Sequence, residues 1–290
     1  MRLFVFGMGF TASAFVELMR ERLAWLGASA RTDEAERDLR EQGLDTVHFD
    51  GTAPAPGLAA TLQVASHVLI SIPPDAGGDP VLRHHRDDLI KAAPGLAWIG
   101  YLSTVGVYGD HQGDWVSEES DCRPVSARSR NRLAAEVEWQ AFAAASGVPV
   151  GIFRLAGIYG PGRNTLENLR TGKAKRVVKP GQIFNRIHVD DIAAVLEAAT
   201  RKPATAIYNV ADDEPAPPQD VVAYGAELLG LAPPPEVAFE NAGLSDMAGT
   251  FWGESKRISN RRIHDELGVT LAYPTYREGL AALAKNGKQG

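Results

Sequence analysis

One cysteine, Cys122, stands in 290 residues. A lone thiol closes no internal disulfide, and no Cys/His cluster has metal-ligand spacing, so no metal is implied and a reducing compartment is permitted. Long apolar runs are lacking as well: no stretch reaches the roughly 18 consecutive apolar residues of a membrane span. The apolar start, Met1 to Phe15, is broken by Gly7 and Gly9 and runs into an amphipathic helical pattern, which argues against a secretory signal and for a cytoplasmic location. No block of basic charge occurs either. Thirty Lys and Arg against 36 Asp and Glu leave a net charge of -6, which argues against nucleic acid, whose binding rests on neutralised phosphates.

What is present is enough apolar material, 44% of residues, for a large core. Short apolar runs alternate with longer helical patterns. The strands read Leu3 to Phe6, Ala28 to Arg31, Thr46 to Phe49, His67 to Ile72, Trp98 to Ser103, Val150 to Leu155 and Ile207 to Val210. Between them lie helical stretches at Thr11 to Leu23, Glu34 to Glu41, Gly57 to Val64, Pro80 to Ala93, Ser126 to Ser146 and Asp190 to Thr200. Such alternation builds an α/β fold with a doubly wound parallel sheet. Past Asp212 the texture turns Pro-rich around a helix at Gln219 to Leu229. The division expected is a nucleotide-binding domain over residues 1–160, completed by about 186–212, and a smaller substrate lobe over 161–290. The last residues, from Ala284, are expected to fray.

Gly7-Met8-Gly9-Phe10-Thr11-Ala12 matches G-x-G-x-x-G/A between an apolar strand and a helix, the dinucleotide fingerprint of the Rossmann fold. Gly7 permits the tight turn, Gly9 leaves room for a pyrophosphate, and Ala12 lets helix approach strand. The N-terminus of that helix would face the phosphates. The acidic residue expected about 20 positions on, to hold the ribose hydroxyls of NAD, is replaced by Ala30-Arg31-Thr32-Asp33. Arg31 suits a 2'-phosphate, which points to NADP; NAD, with Asp33 on the ribose, is the alternative. Ser71-Ile72-Pro73-Pro74, after the fourth strand, is placed along the same cofactor.

Four ordered runs carry a resemblance: Tyr101-Leu102-Ser103-Thr104-Val105-Gly106-Val107-Tyr108-Gly109, Arg154 to Gly162, Arg186 to Ala193, and Tyr208 to Asp213. Together they resemble the NAD-dependent epimerase/dehydratase family of extended short-chain dehydrogenases, over about residues 2 to 285. The resemblance implies a Ser or Thr on the fifth strand that polarises the reacting oxygen, the position of Thr104. It also implies a Tyr, with a Lys four residues later, on the next helix as acid/base. Here the helix departs. With Glu136 as the family's Glu after the Lys, the Tyr position is Arg128 and the Lys position Arg132; a shift of two gives Ser126 and Arg130 and restores neither. Arginine stays protonated and accepts no proton. The chain resembles the atypical branch that keeps the cofactor fold and loses Tyr-x-x-x-Lys.

Substitutes are at hand, each with a plainer role. Tyr108 and Tyr159 either face the crevice or pack with a bonded hydroxyl. His111 is either a base or a solvated loop residue. His188 reads as structural, with Asp190-Asp191 capping a helix. Cys122 is either reactive or an inert thiol. His84 and His85 read as two solvated residues on a helix surface. The function expected is an NADP-dependent oxidoreductase or epimerase on a small hydroxylated, sugar-like or anionic substrate, with Arg128 and Arg132 presenting one cationic face. The rival is a catalytically silent NADP-binding sensor. A homodimer through the helices after the fourth and fifth strands is expected by analogy.

Overall fold

The computed structural model describes residues 1–286 of the chain. Packing divides it into two compact units: residues 1–104, 127–154 and 193–208, and residues 105–126, 155–192 and those from 209 on.

The first unit opens with β1 (Arg2–Phe6), α1 (Phe10–Met19), β2 (Trp25–Ala30), α2 (Asp33–Glu41), β3 (Asp45–His48), α3 (Leu58–Val64), β4 (His67–Ile70), α4 (Pro80–Ala92) and β5 (Trp98–Thr104). After β6 (Trp115–Val116) come α5 (Ala127–Ser146) and β7 (Val150–Leu155). All seven strands expected from the sequence are found, and they form one sheet. Its order is β11-β7-β5-β4-β1-β2-β3, with β11 at Ala206–Val210. β1 pairs in parallel with both β2 and β4, and its Leu3, Phe4, Val5 and Phe6 are wholly buried, as a central strand covered on both faces requires. The strand order reverses beside β1, which opens a crevice at the carboxyl ends of β1 and β4.

Boundaries shifted where local chemistry intervened. β4 stops at Ile70 rather than Ile72 because Pro73 and Pro74 cannot continue the ladder, and this releases Ser71 and Ile72 into the turn. β2 stops at Ala30, so Arg31 leaves the sheet, and Thr32 caps α2 by accepting from the Ala35 N–H at 3.2 Å. Acidic Asp33, Glu34 and Glu36 crowd the first turn of α2, where the helix dipole favours them. The helix expected over Thr11 to Leu23 gives way at Arg20 to a 3-10 turn.

Among the described residues the second unit holds three short parallel pairs: β8 (Gly157–Tyr159) with β10 (Arg186–His188), β9 (Arg176–Val178) with β12 (Glu236–Ala238), and β6 with β13 (Arg257–Ile258). Its helices are α6 (Thr165–Arg170), α8 (Pro218–Leu228), α9 (Asp246–Trp252), α10 (Arg261–Asp265) and α11 (Tyr276–Asn286), with α7 (Val189–Arg201) running out of it. Leu166, Val221, Tyr276 and Leu280 build its core with Tyr159. The fraying expected from Ala284 meets a helix that continues to Asn286; residues 287–290 lie outside the described residues.

Two expectations are corrected here. His85 is not a solvated partner of His84: it is 2% exposed, because α4 leaves helical geometry at that residue (φ -133°, ψ 17°) and its ring packs edge-on against Phe49. Asp191 does not cap α7. Its carboxylate accepts the backbone N–H groups of Ala272 and Tyr273 at 2.7 and 3.1 Å, tying that segment down instead.

Candidate functional site

The glycine turn sits at the end of β1. Gly7 has φ +86°, and a Cβ on it would stand 2.6 Å from Ile72 Cγ2, so only glycine fits. Its N–H donates to Ser29 Oγ at 3.1 Å. Gly9 is different: its φ is -89° and a Cβ there would meet nothing within 4 Å. The protein itself therefore does not require glycine at that position, whereas a phosphate approaching the backbone would. Gly9 is also the N-cap of α1 and has no side chain of its own to cap that helix end, where the dipole favours an anion.

A cleft of about 640 Å³ opens from this turn, lined among others by Gly7, Gly9, Arg31, Ser71, Ile72 and Pro73, all of them placed along the cofactor by sequence. Four other expected contacts lie elsewhere. Thr11 and Ala12 are buried behind the turn, Phe10 starts α1, and the Thr32 hydroxyl serves the α2 cap. The sequence reading missed Ser29, Asp38, Gln42, Phe49, Asp50 and Asp75 in the same lining. Four of them follow β2, β3 or β4 or close β2, so the strand-end rule was the signal available. The Arg31 side chain lies exposed in the cleft lining. Asp33, the alternative ribose partner, has a carboxylate 3.5 Å from His48 Nδ1 and is not among the lining residues.

The end of β5 is organised by charge. Ser103 donates to Glu136 Oε1, and Arg154 donates to both carboxylate oxygens of Glu136, from Nε at 3.2 Å and from Nη2 at 2.7 Å. All three are buried, Glu136 to 1% exposure and Arg154 to 3%. Thr104, half-buried, follows directly. The sequence placed Arg128 and Arg132 on one free cationic face, and the structure separates them. Arg128 is exposed, whereas Arg132 donates to the Leu102 carbonyl at 2.7 Å and to the Tyr101 hydroxyl at 3.2 Å, with its guanidinium 5.5 Å from the Tyr101 ring centre. Tyr101 is wholly buried, and burial raises its phenol pKa despite the opposing Arg132 charge, so it is no proton acceptor near neutral pH.

The other candidates belong to the second unit. Tyr108 is fully buried and its hydroxyl donates to Asn209 Oδ1 at 2.7 Å, the packing role with a bonded hydroxyl. Tyr159 is 7% exposed, and burial followed by the Asp212 charge pushes its phenol upward. His188 is buried against Tyr159 and Tyr273, with Nδ1 accepting from the Asp190 N–H at 3.2 Å; burial lowers its pKa. His111 Nε2 lies 3.2 Å from the Asp121 carbonyl, and Cys122 is half-buried. Among the described residues no helix is long and apolar enough to cross a membrane.

Known proteins resemble this chain in sequence and fold. A protein from Silicibacter pomeroyi DSS, whose solved structure is described as that of a functionally unknown conserved protein, is 45% identical with a TM-score of 0.88 over 99% of both chains. Protein YeeZ of Escherichia coli K12 is 34% identical over 221 residues, 73% of each chain. The model of the NAD dependent epimerase/dehydratase family matches residues 87–211. The chain belongs to that family. MoeE5, solved in complex with UDP-glucuronic acid and NAD, shares the fold at 24% identity, with a TM-score of 0.75 over 100% of this chain and 99% of that one. Against the epimerase/dehydratase pattern, the chain has neither Tyr nor Lys anywhere on α5.

Proposed function

We propose that this epimerase/dehydratase family member binds NADP(H) in the cleft beside β1 and acts on a small hydroxylated, sugar-like or anionic substrate at the end of β5. The observation that carries the reading is Arg31, an exposed guanidinium in the lining of the same cleft as Gly7 and Gly9. The residues fit such a group: the Gly9 backbone leaves the space a Cβ would fill, and the N-terminal end of α1, with glycine as its cap residue, favours a pyrophosphate. Arg31 pairs with the 2'-phosphate through its fork. When bound, the nicotinamide supplies or receives a hydride. Thr104 donates a hydrogen bond to the substrate oxygen, and Arg128 holds an anionic group of the substrate. Arg132 fixes the end of β5 through Leu102 rather than moving a proton. A cytoplasmic site of action and a homodimer through α4 and α5 belong to the same reading.

Titration calorimetry of wild type and Arg31→Ala with NADPH and NADH tests it. Wild type is expected to prefer NADPH, and the variant to lose about ten- to a hundredfold for NADPH alone, the worth of a charge-assisted pair, about 1.5 to 3 kcal/mol. Equal affinities of wild type for the two cofactors would sink the choice of NADP.

One observation favours a second reading, a cofactor-binding protein without turnover: α5 holds neither Tyr nor Lys, the residue types of the family's acid/base pair. The two readings part on whether bound NADPH is oxidised across a panel of aldehydes, ketones and nucleotide sugars.

A further inference from the structure

The wall of the cleft formed by Phe49, Asp50 and Gly51 is a loop without strand or helix of its own, and α4 holds it. Arg83 Nη2 donates to the Gly51 carbonyl at 2.9 Å, while Nη1 and Nη2 grip the two oxygens of Asp75, a residue of the lining after β4, at 2.7 and 2.9 Å. Two residues on, His85 reaches the same loop from beneath. The Ala55 N–H donates to His85 Nε2 at 2.9 Å, and Nδ1 lies 2.9 Å from Asp88 Oδ2. A nitrogen that accepts from a backbone N–H carries no proton, so the proton is on Nδ1 and donates to Asp88: one neutral tautomer satisfies both bonds. The ring also meets Phe49 edge-on, centroids 5.2 Å apart at 70°.

Helical regularity is given up for this contact. α4 breaks at His85, and the side chain so redirected is 2% exposed with every ring nitrogen engaged. His85 itself is not among the residues lining the cleft.

Resting on the reading of the cleft as a dinucleotide site, we propose that His85 is a positioning residue for it: its neutral imidazole fixes the 49–55 loop and the Phe49 ring, so cofactor affinity depends on a side chain buried behind the wall. His85→Phe keeps the ring against Phe49 and removes the acceptor; His85→Gln returns an acceptor without the ring. Two readouts apply, NADPH affinity by calorimetry and amide exchange at Ala55. In wild type the Ala55 amide is protected. His85→Phe is expected to weaken NADPH binding about tenfold and to speed Ala55 exchange at least tenfold, with exchange in β1 and β4 unchanged, while His85→Gln recovers most of both. The proposal is overturned if His85→Phe binds NADPH like wild type, if His85→Gln recovers neither readout, or if the wild-type Ala55 amide exchanges freely, an outcome that needs no variant to fold. Wild type that binds neither NADPH nor NADH would instead fail the cleft reading. Ala55 exchange in His85→Phe and His85→Gln then decides the anchor alone.

Discussion

At the end of β1 the chemistry is written in backbone; at the end of β5 it is written in side chains. The first region needs glycine at Gly7 for steric reasons and offers a helix N-terminus whose cap residue is glycine, and the family's fingerprint stands there intact. The second ties Ser103, Glu136 and Arg154 together next to Thr104, and α5 beside it carries neither Tyr nor Lys. Cofactor binding rests on a shape with few alternatives. Proton transfer rests on two replaceable side chains, so a family member can lose the second and keep the first.

The widest expected effect tests that contrast directly. Oxidising an alcohol requires a group to take its hydroxyl proton as hydride leaves, and a positioned base contributes about 10² to 10⁴ in rate. Wild type is expected to bind cofactor yet turn over simple secondary alcohols slower than a base-equipped enzyme by that factor. The double change Arg128→Tyr with Arg132→Lys is expected to raise residual activity. Steady-state cofactor absorbance measures both, and brisk wild-type oxidation of several alcohols would mean that a base stands elsewhere.

Glu136→Ala probes the framework. It leaves the Arg154 guanidinium buried without its carboxylate, and breaking a buried pair in this way costs about 3 to 5 kcal/mol. Urea unfolding is expected to show that loss. A change under about 1 kcal/mol would mean that water or another group compensates, and that the end of β5 is less rigid than its bonds imply.

Gly9→Val probes the other region in the opposite sense. No atom lies within 4 Å of the added Cβ, so unfolding should move by only a few tenths of a kcal/mol while NADPH affinity falls by about a hundredfold or more. Calorimetry alongside circular dichroism reads the two effects separately; retained binding would reduce the turn to a structural corner.

The same contrast explains what could be read in the sequence. All seven strands of the sheet and the glycine turn were legible because strand period and glycine spacing are local signals. The residues of the opposite wall were not: Phe49, Asp50 and Asp75 become neighbours only when β3 and β4 lie on either side of β1 and β2 in the sheet. His85 was misread because a His on a helix pattern is placed by periodicity, and periodicity does not foresee a break at that residue. Arg132 was misread for a related reason. The spacing of Arg128 and Arg132 sets a shared face, but the Leu102 carbonyl at the end of β5 takes the Arg132 guanidinium.

The smallest expected effect marks the end of the sheet away from the cleft. His67 opens β4, with Ser66 Oγ 2.9 Å from Nδ1 and its ring 6.3 Å from that of Trp98. Burial first, and the positive amino terminus second, lower its pKa from 6.5 to about 4. The unfolded chain takes up this proton as pH falls below about 6.5, and the folded chain holds out until about 4. The associated stability is therefore fully present above pH 6.5 and is lost as pH falls from there through 4. At about 1.4 kcal/mol per pH unit, and with solvent screening at a half-buried ring, the loss comes to about 2 kcal/mol. His67→Phe removes the titration, so the gap between variant and wild type in urea unfolding should shift by that amount in the variant's favour between pH 7.5 and pH 4.5. Every other titrating group acts in both proteins and cancels from the difference. NADPH affinity at a given pH should be the same in the two proteins, since His67 and Ser71 lie at opposite ends of the β4 segment; a variant that altered affinity instead would join the two ends of the sheet that the comparison keeps apart.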